Sequence, residues 1–212
     1  MALIVSRREA VAGIVSTLSL AGATLGGTTR AIAAPQTGVA APLFTAIDSG
    51  SKRHALADYR GKIVVLEWTN HECPYTVKHY ATGNMQALQQ AATGSGTIWL
   101  TVVSSRPGSQ GYVEALEADR LTETRRARPS AVILDPKGDL GRLYAAQTTP
   151  HMYVINGDGT LVFMGGIDDQ PSANHATVKT ARNYVREALD AIAAGKPVPV
   201  ASARPYGCTV KY

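Results

Sequence analysis

The sequence predicts an α/β fold in which a mixed central sheet is flanked by helices, forming a three-layer sandwich. Three observations lead to this prediction. Apolar, β-branched runs typical of buried strands recur at residues 63–68, 97–103 and 131–134. Helical segments separate these runs, so crossovers join the strands and make them parallel. Residues 151–164 instead form two short strands around an Asn-Gly-Asp-Gly turn, which predicts an antiparallel hairpin.

The chain begins with a predicted export signal at residues 1–34. Arg7 and Arg8 precede an uncharged stretch at 10–29, and residues 31–33 (AIA) supply the small residues of a cleavage site. We therefore expect a signal peptide at 1–34, a folded domain at 35–194 and an extended tail at 195–212.

The arginine pair also indicates a route and a compartment. Residues 6–8 (SRR) resemble the twin-arginine export motif, although residues 9–11 depart from its usual pattern. The alternative is an uncleaved anchor, because the uncharged stretch is long enough to span a bilayer. Its many glycines make it a poor span, so we expect no stable membrane span after cleavage. Either way the folded part would be periplasmic or extracellular, where disulfides persist.

Within the folded domain, short signals set the expected boundaries. Pro74 suits the first position of a helix, where its missing N–H costs nothing. The tail opens with a Pro-Val-Pro-Val run that favours an extended conformation. The predicted elements are strands at 43–48, 63–68, 97–103, 131–134, 151–155 and 160–164, a helical turn at 55–59, and helices at 77–92, 112–127, 140–145 and 173–194.

Composition excludes several classes of protein. With 45% hydrophobic and 17% charged residues, the chain can form a folded core. The formal charge of +5 falls to +3 without the three arginines and one glutamate of the first 33 residues, which is too little to predict a nucleic-acid partner. Haem, flavin and nucleotide motifs are missing, so no cofactor is expected. The two cysteines form neither a CxxC pair nor a zinc pattern, so no metal site is assigned.

Cys73 is the strongest candidate for chemistry. It follows a buried strand and directly precedes Pro74 at a helix start. Unpaired N–H groups and the helix dipole stabilise a thiolate there, which lowers the thiol pKa. His71, Lys78 and His79 are close in sequence, and we expect them to add positive charge around the thiolate. Glu67, at the end of the strand, is either a proton relay or a simple polar contact.

Two segments around this cysteine resemble a known family. Residues 68–75 (WTNHECPY) resemble the active-site turn of the thioredoxin superfamily, in its redoxin and peroxiredoxin-like (AhpC/TSA-type) branch. Residues 148–155 (TTPHMYVI) resemble that superfamily's cis-proline loop, and the hairpin at 156–163 is also similar. The resemblance covers about residues 39–194 and implies a thioredoxin-like fold. It further implies that Pro150 is cis and lies against Cys73, with Thr149 offering backbone groups to a bound substrate. We expect Trp68 and His151 to line the same groove, with a structural role as the alternative for His151.

The departures from the family are informative. Residues 74–76 (PYT) contain no second cysteine, so a local disulfide is impossible. Peroxiredoxins carry a Pro-x-x-x-Thr-x-x-Cys turn, but Leu66 and Asn70 occupy the proline and threonine positions here, with Thr69 one place away. The hydroxyl that orients a peroxide in that family is therefore displaced.

Cys208, in the tail, is the only other thiol. The chain from Gly195 to Cys208 reaches roughly 43 Å when extended, enough to bring Cys208 to Cys73 of the same or a second chain. We expect Cys208 to resolve an oxidised Cys73. A static disulfide and an incidental thiol are the alternatives.

These residues predict an exported, thiol-dependent oxidoreductase with Cys73 and Cys208 as catalytic residues. Its substrate would be a peroxide or a protein disulfide, and its partner an unidentified thiol reductant. One alternative is a disulfide exchange protein that acts on exported proteins. Another is a copper-binding chaperone that uses Cys73 with His71, His79 or His151.

Overall fold

A computed structural model describes residues 34–212. The predicted signal peptide at 1–34 lies outside these residues except for Ala34. The strands are β1 (Thr45–Ile47), β2 (Arg53–Ala55), β3 (Val64–Trp68), β4 (Ile98–Val103), β5 (Ala131–Leu134), β6 (Thr148–Thr149), β7 (His151–Ile155), β8 (Leu161–Gly165) and β9 (Cys208–Thr209). The α-helices are α1 (Pro74–Ala81), α2 (Asn84–Gly94), α3 (Ala115–Thr124), α4 (Asp139–Leu143) and α5 (Tyr184–Ala193), with 3-10 helices at Leu56–Tyr59 and His175–Lys179.

The central sheet has five strands in the order β5-β4-β3-β7-β8. Strands β3, β4 and β5 are parallel, whereas β7 and β8 are antiparallel to their neighbours. This arrangement confirms the predicted α/β fold with a mixed sheet and a hairpin at one edge. Two short ladders lie outside this sheet, one between β1 and β2 and one between β6 and β9.

The side chains of β3 point alternately into two buried cores, because successive side chains of a strand lie on opposite faces of the sheet. Leu66 and Trp68 face a core that includes residues of α4 and the first 3-10 helix. Val65 faces the second core, where α2 and α5 pack against the sheet. The sheet therefore lies between two layers, and β3 is buried along its whole length.

Three of the predicted helices are wrong in extent. The helix predicted at 112–127 is the shorter α3, Ala115–Thr124. The predicted helix at 77–92 is two helices, because Gly83 adopts a left-handed conformation with φ of 76° that ends α1. The predicted helix at 173–194 is only α5, preceded by a 3-10 helix. Asn183 caps α5 by accepting a hydrogen bond from the backbone of Arg186, so the helix begins there.

The C-terminal tail is folded onto the domain. Val210 N–H donates to the Gln147 carbonyl at 3.0 Å, and β9 pairs with β6. At the end of the chain, Tyr212 donates its hydroxyl to the Ala146 carbonyl at 2.6 Å. Of the helices at residues 34–212, none has the length and apolar character needed to cross a membrane.

Candidate active site

Cys73 lies between the end of β3 and the start of α1, as the sequence predicts. Its N–H donates to the Asn70 carbonyl at 3.1 Å, which closes a tight turn. The Asn70 side-chain oxygen accepts from the Glu72 N–H at 2.9 Å, so this side chain supports the turn. Cys73 is the N-cap of α1, and Pro74 occupies the first helical position. The thiol therefore meets the unpaired N–H groups of a helix start.

The cis-proline loop covers Cys73. The Thr149–Pro150 bond is cis, which confirms the expectation from the resemblance. The Cys73 thiol donates to the Thr149 carbonyl at 3.0 Å, so this loop lies directly on the sulfur. Cys73 is 0% exposed as a result.

Cys208 lies next to Cys73. In the β6–β9 ladder, Cys208 pairs with Thr149 and Thr209 pairs with Thr148. Both cysteines are free thiols, and they are close enough that each shifts the pKa of the other. The structure thus brings together the two residues predicted to be catalytic, within one chain.

The two thiols have opposite acidities. Burial raises the pKa of Cys73, but hydrogen bonds from the Cys208 and Thr149 side chains and from the Thr76 and Cys208 backbone outweigh burial, and the pKa lies below that of an ordinary thiol. Burial and the neighbouring Cys73 raise the pKa of Cys208 to about 12. Cys73 is therefore the more acidic thiol of the pair and ionises at lower pH than Cys208.

Lys78 and His79 do not form the thiolate environment that their positions suggested. Lys78 Nζ donates to the Gln170 carbonyl at 3.0 Å and lies 3.9 Å from an Asp168 carboxylate oxygen. His79 Nε2 lies 3.8 Å from the same carboxylate, and burial lowers the pKa of His79 to about 3. Helix α1 therefore directs both side chains away from Cys73 toward the loop that follows β8.

Glu67 is buried in a network of its own. Its carboxylate accepts hydrogen bonds from Tyr80 Oη at 2.7 Å, Trp99 Nε1 at 2.8 Å, Gln89 Nε2 at 3.0 Å and Thr101 Oγ1 at 3.2 Å. Burial raises the pKa of Glu67, while these four bonds oppose the rise. Within residues 34–212, Cys73 is not among its hydrogen-bond partners, so the geometry favours the polar contact over the proton relay.

Three other predicted residues take different positions. Trp68 is buried in the core, with ring centroids 5.1 Å from Tyr153 and 5.6 Å from Tyr144, so it does not line an open groove. His151 Nδ1 accepts from the Gln147 N–H at 3.2 Å, and burial lowers the pKa of His151 to about 4. Burial also lowers the pKa of His71, so neither imidazole supplies a positive charge at neutral pH.

Sequence reasoning missed Asp168 and Tyr206. Asp168, in the loop after β8, is 3% exposed and accepts a hydrogen bond from the Tyr206 hydroxyl. The interaction joins two segments that are 38 residues apart, so local sequence gave no signal for it. In the part of the chain that the structure describes, no three His, Cys, Asp or Glu side chains gather into a metal site.

Comparisons with solved structures agree with this fold. A conserved protein from Geobacillus kaustophilus is 21% identical with a TM-score of 0.69, and the match covers 84% of this chain and 92% of that one. A hypothetical protein from Sinorhizobium meliloti is 18% identical with a TM-score of 0.70, covering 85% and 96%. At these identities the likeness shows the fold alone.

The family model and the curated sequences give different results. No curated protein matches the sequence significantly. The model of the AhpC/TSA family matches residues 37–164, more than half of the chain, including the Cys73 turn, the cis-proline loop and the hairpin. The chain therefore belongs to the AhpC/TSA family, within the redoxin branch of the thioredoxin superfamily.

Proposed function

We propose that this protein is a thiol-dependent oxidoreductase that cycles between two free thiols and a Cys73–Cys208 disulfide within one chain. The position of the two thiols carries the proposal, because Cys208 pairs with Thr149 and the Thr149 carbonyl accepts from the Cys73 thiol at 3.0 Å. The lower pKa of Cys73 fits this chemistry, because the thiolate is the nucleophile and a thiol with a low pKa is the better leaving group. Cys73 is therefore the nucleophile during oxidation and the leaving group during reduction.

With a peroxide, the steps balance as follows. The Cys73 thiolate attacks one peroxide oxygen, the O–O bond breaks, and the departing oxygen takes a proton to leave as water or an alcohol. The Cys208 sulfur then attacks the Cys73 sulfenic sulfur, the Cys208 proton joins the departing hydroxyl, and water leaves as the S–S bond forms. Two molecules of an external thiol reductant reduce the disulfide and become a disulfide themselves.

A disulfide substrate is the second candidate, and Asn70 favours it. Asn70 stands where the peroxiredoxin turn has threonine and carries no hydroxyl, and its side-chain oxygen accepts from the Glu72 N–H instead of facing a substrate. Cys73 would attack the external disulfide to form a mixed disulfide and release one thiol. Cys208 would then displace the second thiol, which leaves the same Cys73–Cys208 bond.

We further propose that the mature protein works outside the cytoplasm. The support is the pattern of residues 1–34, with its arginine pair, uncharged stretch and small residues before Pro35. An oxidising compartment would keep the Cys73–Cys208 bond until a dedicated thiol reductant reaches it.

Non-reducing peptide mapping by mass spectrometry tests the cycle. Samples of the mature chain receive one equivalent of hydrogen peroxide or of oxidised glutathione. We expect a Cys73–Cys208 linked peptide, faster with the true class of oxidant. Cys208→Ser should instead accumulate sulfenic acid or glutathione on Cys73, and Cys73→Ser should leave Cys208 largely unmodified. Unmodified thiols in the wild-type chain after both challenges would refute the proposal.

A further inference from the structure

A buried polar cluster lies beside the tail, and the proposed redox steps do not use it. Lys78 is 0% exposed and Asp168 is 3% exposed, yet the closest approach of their charged groups is 3.9 Å. Buried charges are costly unless further hydrogen bonds satisfy them. The pair therefore needs additional partners in the protein interior.

The Tyr206 hydroxyl is one of these partners. It donates to an Asp168 carboxylate oxygen, and it lies 3.4 Å from Lys78 Nζ and 3.4 Å from His79 Nε2. The ring also contributes, since its centroid is 5.3 Å from Lys78 Nζ and 5.9 Å from the Tyr75 ring. The tail thus inserts one side chain into a site that α1 and the loop after β8 build.

This insertion lies close to the second cysteine. Tyr206 precedes Cys208 by two residues, a distance of at most about 7 Å along the chain. Gly207, between them, lies so close to Thr149 that a Cβ atom would approach the Thr149 carbonyl oxygen to 2.0 Å. Fixing the side chain of Tyr206 therefore leaves Cys208 little freedom to move from its position opposite Thr149.

We propose that Tyr206 is a positioning residue that holds the tail in register, so that Cys208, and not an external thiol or peptide, meets Cys73. The proposal rests on the two-cysteine cycle above and adds a residue that determines its specificity. While the tail is anchored, strand β9 pairs with the edge of β6, next to the cis-proline. An incoming protein segment would have to displace Tyr206 before it could pair there.

Equilibration with glutathione measures this positioning. The pair and oxidised glutathione react to give the Cys73–Cys208 disulfide and two molecules of reduced glutathione, and two electrons pass from the pair to glutathione. The equilibrium constant is the effective concentration of Cys208 at Cys73. Tyr206→Phe should lower it about tenfold, because a hydrogen bond to a charged group is lost. More of Cys73 should then carry glutathione in the same buffer.

Two further variants separate positioning from general stability. Tyr144→Phe also removes a buried hydroxyl bond, from Tyr144 Oη to the Pro42 carbonyl at 2.7 Å, but in the core on the face of the sheet opposite Tyr206. It should leave the glutathione equilibrium unchanged even if urea unfolding shows a similar loss of stability. Asp168→Asn, which weakens the acceptor of the Tyr206 hydroxyl, should shift the equilibrium in the same direction as Tyr206→Phe.

The possible outcomes are distinct. If Tyr206→Phe keeps the wild-type equilibrium constant within twofold, or if Tyr144→Phe shifts it equally, the positioning role is refuted while the two-cysteine cycle stands. If the wild-type chain forms no Cys73–Cys208 bond at any glutathione ratio, the proposed function itself fails, and Tyr206 has nothing to position.

Discussion

Cys208 pairs with Thr149 in the β6–β9 ladder, and the Thr149 carbonyl oxygen accepts a hydrogen bond from the Cys73 thiol at 3.0 Å. One backbone position thus holds both cysteines of the candidate site. The tail is therefore part of the active site, and changes in the tail should alter chemistry at Cys73.

Gly207→Ala should separate the cysteines. Its φ of 129° is unfavourable for alanine, and the new Cβ atom would collide with the Thr149 carbonyl. We expect a cost of about 1–3 kcal/mol to tail docking and disulfide formation slowed by roughly tenfold or more. The matched control is Gly195→Ala, where φ is 64° but no atom lies within 4 Å. Stopped-flow thiol assays measure the rate of disulfide formation in both variants. Equal rates in Gly207→Ala and Gly195→Ala would contradict the predicted collision.

Alkylation of the two thiols should depend on pH in different ways. Thiolates react and thiols do not, so the rate for each cysteine rises through its own pKa. The Cys73 peptide should reach half its maximal rate at a lower pH than an ordinary thiol, whereas Cys208, with a pKa raised to about 12, should react little below pH 10.

Mass spectrometry of each peptide across a pH series measures these rates. In Cys208→Ala, which removes a hydrogen-bond donor to the thiolate, the midpoint for Cys73 should move to higher pH. Midpoints for both cysteines near pH 8.5 in the wild-type chain would show that the asymmetry is absent.

Glu67→Gln separates a structural role from a proton relay. The amide places an NH₂ group among four donors that now share one carboxylate, so we expect a loss of about 2–3 kcal/mol in urea unfolding. The pKa of Cys73 should not change, because Glu67 is not hydrogen-bonded to it. Glu117→Gln, an exposed carboxylate paired with Arg120, is the control for removing a charge. A shifted pKa of Cys73 in stably folded Glu67→Gln protein would contradict this and support a proton relay through Glu67.

His79 should make the fold sensitive to acid. Its pKa falls from 6.5 in the unfolded chain to about 3 in the fold, so between these values only the unfolded state binds the proton. Stability therefore rises with pH across this window, and about 2 kcal/mol should be lost at pH 5 relative to pH 8. Urea unfolding of His79→Gln should show a smaller loss than the wild-type chain. The control His175→Gln, at an exposed position, should lose as much stability at pH 5 as the wild-type chain.

The sequence predicted the central sheet well because its strands are specified locally. Strands β5 and β7 occur at the predicted residues, and the β7–β8 turn follows the Asn-Gly-Asp-Gly signal. The helix errors have local causes that outweighed hydrophobic spacing, namely the left-handed Gly83 and the cap at Asn183. A single glycine or asparagine inside a periodic segment is easily overlooked.

The site was only partly predictable. The position of Cys73 at a helix start follows from a strand, a turn and a proline that are adjacent in sequence. The direction of Lys78 and His79 depends instead on Asp168, about 90 residues away, and no periodic pattern encodes that contact. The β6–β9 ladder is equally non-local, since two-residue strands carry almost no signal of their own.

The great separation of the paired cysteines along the chain has a thermodynamic consequence. Cys73 and Cys208 are 135 residues apart, so a bond between them closes a loop that contains most of the folded domain. In the chain-entropy model, such a loop removes enough freedom from the unfolded state to add about 5 kcal/mol of stability. Oxidation would thus convert a redox signal into resistance to heat and proteolysis, and the melting temperature would report how much of the protein is oxidised.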